Sequence, residues 1–237
     1  AKLDPHALRK SEDCYVDDLV APVVTLGAPL IAARFPRAYL DVNREPGELD
    51  PELFLGRLPP GSNAGSMRVL SGLGVVARVV ADGEDIYRRR LPIGIAHERI
   101  ERLYKPFHAA LSALIGRTLA RFGLAVLVDC HSMPSASIAQ PRAHRADFVL
   151  GDRFGASCDP RLTQLAMGAL SGQGFAAQLN RPYAGGYITE HYGRPRTGVH
   201  AIQIEINRGP YLDGATFRTT GGFEPLQGAF VRFAERM

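Results

Sequence analysis

Apolar residues recur at helical spacing in several segments of the chain. Between residues 95 and 121, Ile, Leu, Tyr and Phe return every three or four positions, which is the period of one helix face. Pro106 interrupts this pattern, and a proline inside a helix removes a hydrogen bond. We therefore predict one long helix, which Pro106 is placed to kink and Gly123 closes. Shorter helices are predicted from Ser11, over 161–171 and over 222–237.

Short apolar runs between these helices predict the strands. Residues 124–128, Leu-Ala-Val-Leu-Val, form a continuous run of the kind found in central parallel strands. Further strands are predicted at 38–42, 75–80, 176–179 and 200–206. Because helices and strands alternate, we predict an α/β fold with a mixed, largely parallel sheet covered by helices on both faces.

Length and composition favour one domain. A chain of 237 residues with 46% hydrophobic residues can bury a substantial core. The Pro- and Gly-rich stretch near Pro59 is too short to be an interdomain linker. We therefore predict a single domain over residues 1–237.

Charge and cysteine content narrow the function classes. The 28 basic and 24 acidic residues leave a net charge of only +4, and the arginines are dispersed apart from the run at 88–90. A nucleic-acid-binding surface needs clustered basic residues, so that class is disfavoured. Cys14, Cys130 and Cys158 form no C-x-x-C pair, which argues against a disulfide framework. With no membrane-length apolar run and no signal-peptide core, the cytoplasm is the expected location.

His131 lies close after the apolar run at 124–128, where a predicted strand ends. In open α/β sheets, ligands bind at the carboxyl ends of strands. An imidazole there suits a metal ligand or a general base. The alternative is a structural histidine that hydrogen-bonds a backbone carbonyl. Because Ser132 is small and a turn follows it, the functional role is favoured.

Glu205 is a carboxylate within an otherwise apolar strand. Alternation along 201–206 places Gln203 and Glu205 on one face and the isoleucines on the other. If helices cover both faces, burying this carboxylate is costly without a partner. A general base or a metal ligand would explain it, and a buried ion pair with an arginine such as Arg208 is the alternative.

Two other polar pairs are candidates. Asn43 and Arg44 follow the predicted strand at 38–42, and a guanidinium can bind a carboxylate in bidentate fashion. The alternative for Arg44 is a salt bridge to Glu45 or Glu48. Glu12 and Asp13 lie near a predicted helix start, where the helix dipole alone favours carboxylates.

The segment 180–193 is rich in Gly, Tyr and hydrogen-bonding side chains, so it is suited to close over a small polar substrate. Its double glycine lacks the Lys and Ser or Thr of a phosphate-binding loop. A Gly-x-Ser-x-Gly elbow is absent from the sequence, which disfavours serine-hydrolase chemistry.

These motifs together resemble the N-formylglutamate amidohydrolase family. The resemblance rests on Val-Asp-Cys-His-Ser-Met-Pro at 128–134, on 180–193, and on His-Ala-Ile-Gln-Ile-Glu-Ile-Asn-Arg at 200–208. Residues 11–19, 37–45 and 150–155 extend it over nearly the whole chain in one order. The family is similar to zinc exopeptidases, so the resemblance implies a zinc exopeptidase type of hydrolase fold.

The resemblance also implies roles for individual residues. His131 would be a zinc ligand, Glu205 the base that activates water, and Asn43 with Arg44 the pair that holds the substrate carboxylate. Of the two N-terminal carboxylates, Glu12 is favoured over Asp13 as the acidic zinc ligand. The pocket would be completed by Tyr183, Tyr187 and Thr189.

One departure from the family pattern concerns the first zinc histidine. Members carry a Ser-Pro-His-Ser-Gly motif on a first strand ahead of the acidic pair, and this sequence has none. His6 follows a proline but lacks the Ser-Gly, so the role is not transferred to it. We therefore expect a chain that lacks the first strand of the fold.

The implied activity is zinc-dependent hydrolysis of the formyl amide of N-formyl-L-glutamate to glutamate and formate. Another N-acyl amino-acid amidohydrolase or a carboxypeptidase-like enzyme would use the same centre. A metal-free, carboxylate-binding relative is the alternative from a different class. In each case the expected partner is a small N-acyl amino acid.

Overall fold

The computed structural model describes residues 2–80, 83–135 and 146–237. Contacts divide the chain into two compact units. Unit 1 consists of Ala1–Glu12 and Ala33–Ala113, and unit 2 of Asp13–Ala32 and Leu114–Met237. This division leaves the single domain over 1–237 a prediction.

The chain forms short elements in its first half and longer ones in its second. In chain order they are α1 (Pro5–Leu8), α2 (Val16–Val20), β1 (Phe54–Leu55), α3 (Met67–Leu70), β2 (Leu91–Pro92), α4 (Ile93–Arg99), α5 (Lys105–Phe122), β3 (Ala125–Met133), β4 (Phe148–Gly151), α6 (Pro160–Ser171), β5 (Ala177–Leu179), α7 (Tyr187–Tyr192), β6 (Val199–Asn207) and α8 (Phe223–Arg236). Tighter 3-10 turns lie at Arg9–Ser11, Ala21–Leu26 and Pro195–Thr197.

Unit 1 is built largely from irregular backbone. β1 and β2 pair in parallel. The strand predicted at 38–42 is wrong, since that segment forms turns. The strand predicted at 75–80 is reduced to one isolated antiparallel bridge, Val79 with Asp85, among bends. Backbone donors of these two segments bind carbonyls of other loops: Asp41 N donates to Val75 O and Val75 N to Glu48 O, each at 2.8 Å. Paired in this way, the two segments bury Ala38 and Val80 without a continuous ladder.

The long helix predicted over 95–121 forms, with one change of geometry. A π-helical turn, Ile100–Tyr104, joins α4 to α5 immediately before Pro106. A proline ring clashes with the carbonyl four residues earlier, and the wider π turn accommodates it. Gly123 has φ +70° and donates from its N–H to Leu119 O, which confirms it as the helix end. In the described part of the chain, no helix combines the length and apolarity needed to span a membrane.

Unit 2 contains a mixed four-stranded sheet in the order β3-β6-β4-β5. β3 pairs with β6 and β4 with β5 in parallel, whereas β4 and β6 are antiparallel. The mixed α/β class is therefore confirmed. The sequence pattern missed β4 because only Phe148, Val149 and Leu150 are apolar there, too short a run to distinguish from a loop.

Helices lie on both faces of β6, which is buried along its whole length. Its isoleucines at 202, 204 and 206 pack into the main core with residues of α2, α6 and α8, such as Leu19, Leu170 and Phe230. On the opposite face, the residue that precedes α7, Gly186, donates from its N–H to Gln203 Oε1 at 2.7 Å. The alternation expected for 201–206 is confirmed, with an apolar face and a polar one.

The 180–186 loop packs closely against β4 at Gly151. A Cβ at this position would lie 2.5 Å from both Ala184 C and Gly185 N. We predict that Gly151→Ala lowers the free energy of unfolding by about 1–3 kcal/mol, since backbone must shift to admit the methyl group.

Gly168→Ala is the matched control, because a Cβ at this position in α6 meets nothing within 4 Å. It should raise stability by about 0.5–1 kcal/mol through helix propensity. Urea denaturation followed by far-UV circular dichroism measures both variants. Equal effects of the two substitutions would contradict the close packing at Gly151.

Candidate active site

The parallel register of β3 and β6 brings the main candidate residues together. His131 is the register partner of Glu205, and Asp129 is the partner of Gln203. Register partners in neighbouring strands project from the same face of a sheet, and residues two apart in one strand do so too. All four polar side chains therefore share one face of the sheet.

The position of His131 differs from the sequence-based expectation in one respect. The predicted strand at 124–128 continues to Met133, so His131 lies within β3 and not beyond its end. The strand extends because β6 keeps pairing with it as far as Met133 and Asn207. A run of apolar residues therefore underestimates a strand whose polar end is held by a neighbour.

His131 lies between two carboxylates. Its Nδ1 is 3.0 Å from Asp13 Oδ2, and its Nε2 is 2.9 Å from Asp129 Oδ1. Burial opposes the charged form, but the two carboxylates outweigh burial and raise the pKa of His131 well above its usual value. The imidazolium then donates from both ring nitrogens. Both ring nitrogens therefore contact carboxylates, where the alternative prediction had a backbone carbonyl.

Asp13 is itself held in place from its other oxygen. Ser132 donates to Asp13 Oδ1 from its N–H at 2.7 Å and from its hydroxyl at 3.1 Å. Arg208 donates from Nε to Ser132 Oγ at 2.9 Å, and its Nη2 lies 4.0 Å from Asp13 Oδ1. These contacts orient the carboxylate so that Oδ2 faces the imidazole.

Glu12, which the sequence favoured as the acidic ligand, lies in unit 1. Its Oε1 accepts a hydrogen bond from the backbone N–H of Arg37 at 3.1 Å. The structure thus places Asp13, and not Glu12, against His131. The metal role of Glu12 stays a prediction, and the contacts of Asp13 make it the better candidate.

Glu205 is 9% exposed, and an amide holds its carboxylate. Gln203 Nε2 donates to Glu205 Oε1 at 2.8 Å. Arg208 directs its guanidinium to the hydroxyl and carbonyl oxygens of Ser132. Sequence reasoning placed Gln203 beside Glu205 but gave it no role, although the spacing of two residues indicated the contact.

The three candidate pocket residues lie in or just before α7. Tyr183 packs against the small cluster of Met133, Ala146 and Val149. The Tyr187 hydroxyl is 3.2 Å from His191 Nδ1, and their rings stack with centroids 5.0 Å apart. Thr189 is fully buried, and within the described residues its hydroxyl has no hydrogen-bond partner.

Asn43 and Arg44 lie in a turn of unit 1 that is organised by the buried Asp41. Asp41 Oδ1 accepts from Asn43 N at 2.9 Å, while Oδ2 accepts from Arg37 Nε at 2.9 Å and lies 3.4 Å from Arg44 Nη1. Burial alone would raise the pKa of Asp41, but the two guanidinium groups lower it to about 2. Asp41 therefore stays ionised throughout the neutral range.

The same contacts fix the side chain of Arg44. Its Nε donates to Leu73 O at 3.0 Å and its Nη1 to Asn43 O at 2.9 Å. The ion pair of Arg44 is formed with Asp41. The alternative prediction, a salt bridge to Glu45 or Glu48, is therefore wrong. Sequence reasoning gave Asp41 no role of its own, although a carboxylate three residues before an arginine is placed to form an ion pair.

The donor chemistry around His131 fits part of a zinc site. Zinc accepts imidazole and carboxylate ligands, and a ligating histidine usually donates its other nitrogen to a second carboxylate. His131 and Asp13 are an imidazole and a carboxylate in contact, and Asp129 is the second carboxylate, at the other ring nitrogen of His131. Throughout 2–80, 83–135 and 146–237, however, no group of three or more His, Cys, Asp and Glu is placed to hold a metal ion. His131 and Asp13 thus fit as two ligands, where catalytic zinc usually has three.

Comparison with known proteins gives consistent matches. Residues 1–212 match the family described as N-formylglutamate amidohydrolase. The chain is 31% identical over 204 residues to an N-formylglutamate deformylase of Pseudomonas putida, covering 85% of this chain and 70% of that protein. It is 32% identical over 192 residues to the enzyme of that name from Pseudomonas aeruginosa, covering 79% of this chain and 66% of the relative, just under two thirds.

A solved structure matches along the whole length of the chain. The crystal structure of an N-formylglutamate amidohydrolase from Ralstonia eutropha JMP134 superposes with a TM-score of 0.92 at 36% sequence identity. The match covers 100% of this chain and 85% of that one. The structural match and the family match therefore both indicate an N-formylglutamate amidohydrolase.

The buried Asp41 generates a prediction about acid stability. Asp41→Asn removes a carboxylate from between two arginines, so we expect it to lower the free energy of unfolding by about 2–4 kcal/mol at pH 7. The folded pKa of about 2 lies below the usual 3.8. The stabilisation is therefore complete above pH 4 and is lost as the pH falls from about 4 to about 2.

Glu52→Gln is the control, because Glu52 forms an exposed ion pair with Arg78 in the same unit. We expect it to change stability by less than about 0.5 kcal/mol. Urea denaturation at pH 7, 4, 3 and 2 gives the comparison. A difference between wild type and Asp41→Asn that stays constant over this pH range would refute the ion-pair account.

Proposed function

Because the chain belongs to the N-formylglutamate amidohydrolase family, we propose that it hydrolyses the formyl amide of N-formyl-L-glutamate to glutamate and formate. The observation that carries the proposal is the placement of Glu205 and His131 as register partners on one polar face of the sheet. The relatives named as deformylases support the choice of substrate.

Glu205 is proposed as the general base. Its carboxylate takes a proton from the attacking water as oxygen adds to the formyl carbon. The same proton then passes to the glutamate nitrogen as the C–N bond breaks, so glutamate leaves as an amine and the formyl group as formate. A carboxylate that performs both transfers must hold its orientation, which the amide of Gln203 supports.

His131 and Asp13 are proposed as zinc ligands, in the zinc exopeptidase type of fold. Held by these residues, zinc would supply Lewis acidity for the formyl oxygen and for the attacking water. Support comes from the 3.0 Å approach of His131 Nδ1 to Asp13 Oδ2 and from Asp129 on the other ring nitrogen. Asp129 then fixes the ring orientation and tautomer of the ligand.

Asn43 and Arg44 are proposed to bind a carboxylate of the substrate. This assignment rests on the family resemblance and on the chemistry of unit 1 alone. The contacts of Arg44 with Leu73 and Asn43 fix its guanidinium before any ligand binds, which lowers the entropic cost of carboxylate recognition.

Tyr183, Tyr187 and Thr189 are proposed as further substrate contacts. The buried Thr189 hydroxyl supports this most directly, because a buried hydroxyl with no hydrogen-bond partner among the described residues is available to a polar ligand. The three cysteines, all within the described residues, form no disulfide, which is the usual state in a reducing compartment. We therefore propose the cytoplasm as the location.

Replacement of the base tests the activity itself. We predict that Glu205→Gln lowers kcat for N-formyl-L-glutamate by roughly 10²–10⁴-fold, because the amide cannot accept the proton from water. Release of formate, measured with a formate dehydrogenase assay, gives the rate. Glu235→Gln, an exposed position on α8, is the control and should retain full activity.

Acetyl-aspartate and a short peptide, assayed beside N-formyl-L-glutamate, separate deformylation from other N-acyl amidohydrolase and carboxypeptidase activities. An unchanged rate in Glu205→Gln would remove Glu205 from the mechanism. Faster turnover of acetyl-aspartate or the peptide would instead reassign the substrate.

A second test concerns the acidic metal ligand. We predict that Asp13→Asn lowers zinc affinity roughly tenfold or more, whereas Glu12→Gln leaves it within about twofold. Zinc content after dialysis against a buffered zinc series, measured by atomic absorption, needs no assay of activity. Weaker binding in Glu12→Gln but not in Asp13→Asn would assign the ligand to Glu12, and no zinc retention by the wild type would argue against a metal enzyme.

A further inference from the structure

The polar face of β6 contains a buried amide that the proposed mechanism uses only indirectly. Gln203 is 4% exposed, and its side chain has a hydrogen bond at each end. Oε1 accepts from Gly186 N at 2.7 Å, and Nε2 donates to Glu205 Oε1 at 2.8 Å. A single side chain therefore joins the backbone that enters α7 to the proposed base.

The backbone donor determines which way the amide points. Gly186 N–H can only donate, so the oxygen of Gln203 must face it, and the NH₂ group is then directed at Glu205. If the amide were reversed, two donors would face each other at Gly186 and two acceptors at Glu205. The orientation of the Glu205 carboxylate thus depends on the position of Gly186.

Gly186 is itself held by packing of the 180–186 loop against the segment that follows β4. Arg153 N donates to Ala184 O at 2.8 Å, and Asn180 Nδ2 donates to the buried Asp152 Oδ1 at 2.7 Å. Gly151 lets the loop approach closely, since a Cβ there would overlap Ala184. The loop is therefore a rigid support for the Gly186 donor.

We propose that Gln203 is a positioning residue, whose amide transmits the conformation of the 180–186 loop to the Glu205 carboxylate. This inference rests on the proposed function, in which Glu205 is the base. Because the amide donates to Glu205 Oε1, it holds the carboxylate in one rotation. Loss of the hydrogen bond from Gly186 would release Gln203 and, through it, the base.

Two substitutions distinguish the hydrogen bond of Gln203 with Gly186 from its hydrogen bond with Glu205. Gln203→Leu has a similar size but removes both hydrogen bonds. Gln203→Glu keeps an acceptor for Gly186 N–H but removes the donor to Glu205. In both we expect kcat to fall roughly tenfold to hundredfold with KM within about threefold, since the base is misplaced while the substrate contacts remain.

A double-substitution cycle distinguishes positioning from general damage. In the Glu205→Gln background, Gln203→Leu should change the residual rate by less than about twofold, because Gln203 acts through the carboxylate already removed. The control is Gln173→Leu, whose amide also bonds at both ends, to Ala169 O of α6 and Arg232 Nε of α8. It should retain the wild-type kcat.

Hydrogen exchange at the Gly186 amide tests the hydrogen bond between Gly186 and Gln203 without a measurement of enzyme activity. Exchange should accelerate about tenfold or more in Gln203→Leu, which frees the N–H, and stay near the wild-type rate in Gln203→Glu and Gln173→Leu. Unchanged exchange in Gln203→Leu would show that Gln203 does not bind the loop.

The outcomes separate the inference from the function beneath it. Full activity of both Gln203 variants beside an active wild type, or equal rate losses in the two backgrounds, would overturn the positioning role and leave the deformylase proposal intact. Folded wild type and Gln173→Leu that both fail to hydrolyse N-formyl-L-glutamate would overturn the proposed function together with the catalytic part of the inference.

Discussion

The parallel pairing of β3 with β6 is the constraint on which the candidate active site depends. Side chains alternate between faces along a strand, so a slip of one residue would move His131 to the opposite side of the sheet from Glu205. The isoleucines of β6 resist that slip, because they are buried against α2, α6 and α8. The same packing that stabilises unit 2 thus sets the relation between the two residues.

The polar face that results is costly to bury, and its side chains are satisfied in linked sets. One set joins Asp129, His131 and Asp13, with Ser132 holding the last. A second joins Glu205 to Gln203 and then to the backbone at Gly186. In each set the residue proposed for chemistry is held by neighbours that have no role in bond breaking. Such support keeps a reactive group in one orientation.

Unit 1 also stabilises a buried carboxylate, Asp41, but without a sheet of comparable size. Asp41 organises an irregular turn by binding Arg37 and Arg44 with its side chain and the Asn43 backbone as well. The attraction outweighs the cost of burial, as the lowered pKa of Asp41 shows. The guanidinium of Arg44 is therefore fixed in place by a buried carboxylate.

Local periodicity was enough to identify α5, α6, α8 and the alternating face of β6. Motif chemistry selected His131, Glu205 and Arg44 as candidates, and their roles stay predictions. Periodicity failed for β4 and for the segments at 38–42 and 75–80, whose hydrogen bonds go to distant parts of the chain. The sequence by itself determined the residue types and the faces on which they lie, because these follow from the spacing of neighbours. Only the tertiary structure decided that Asp13 meets His131 and that Gln203 meets Gly186, because those partners are far apart in sequence and are brought together by long-range pairing and packing.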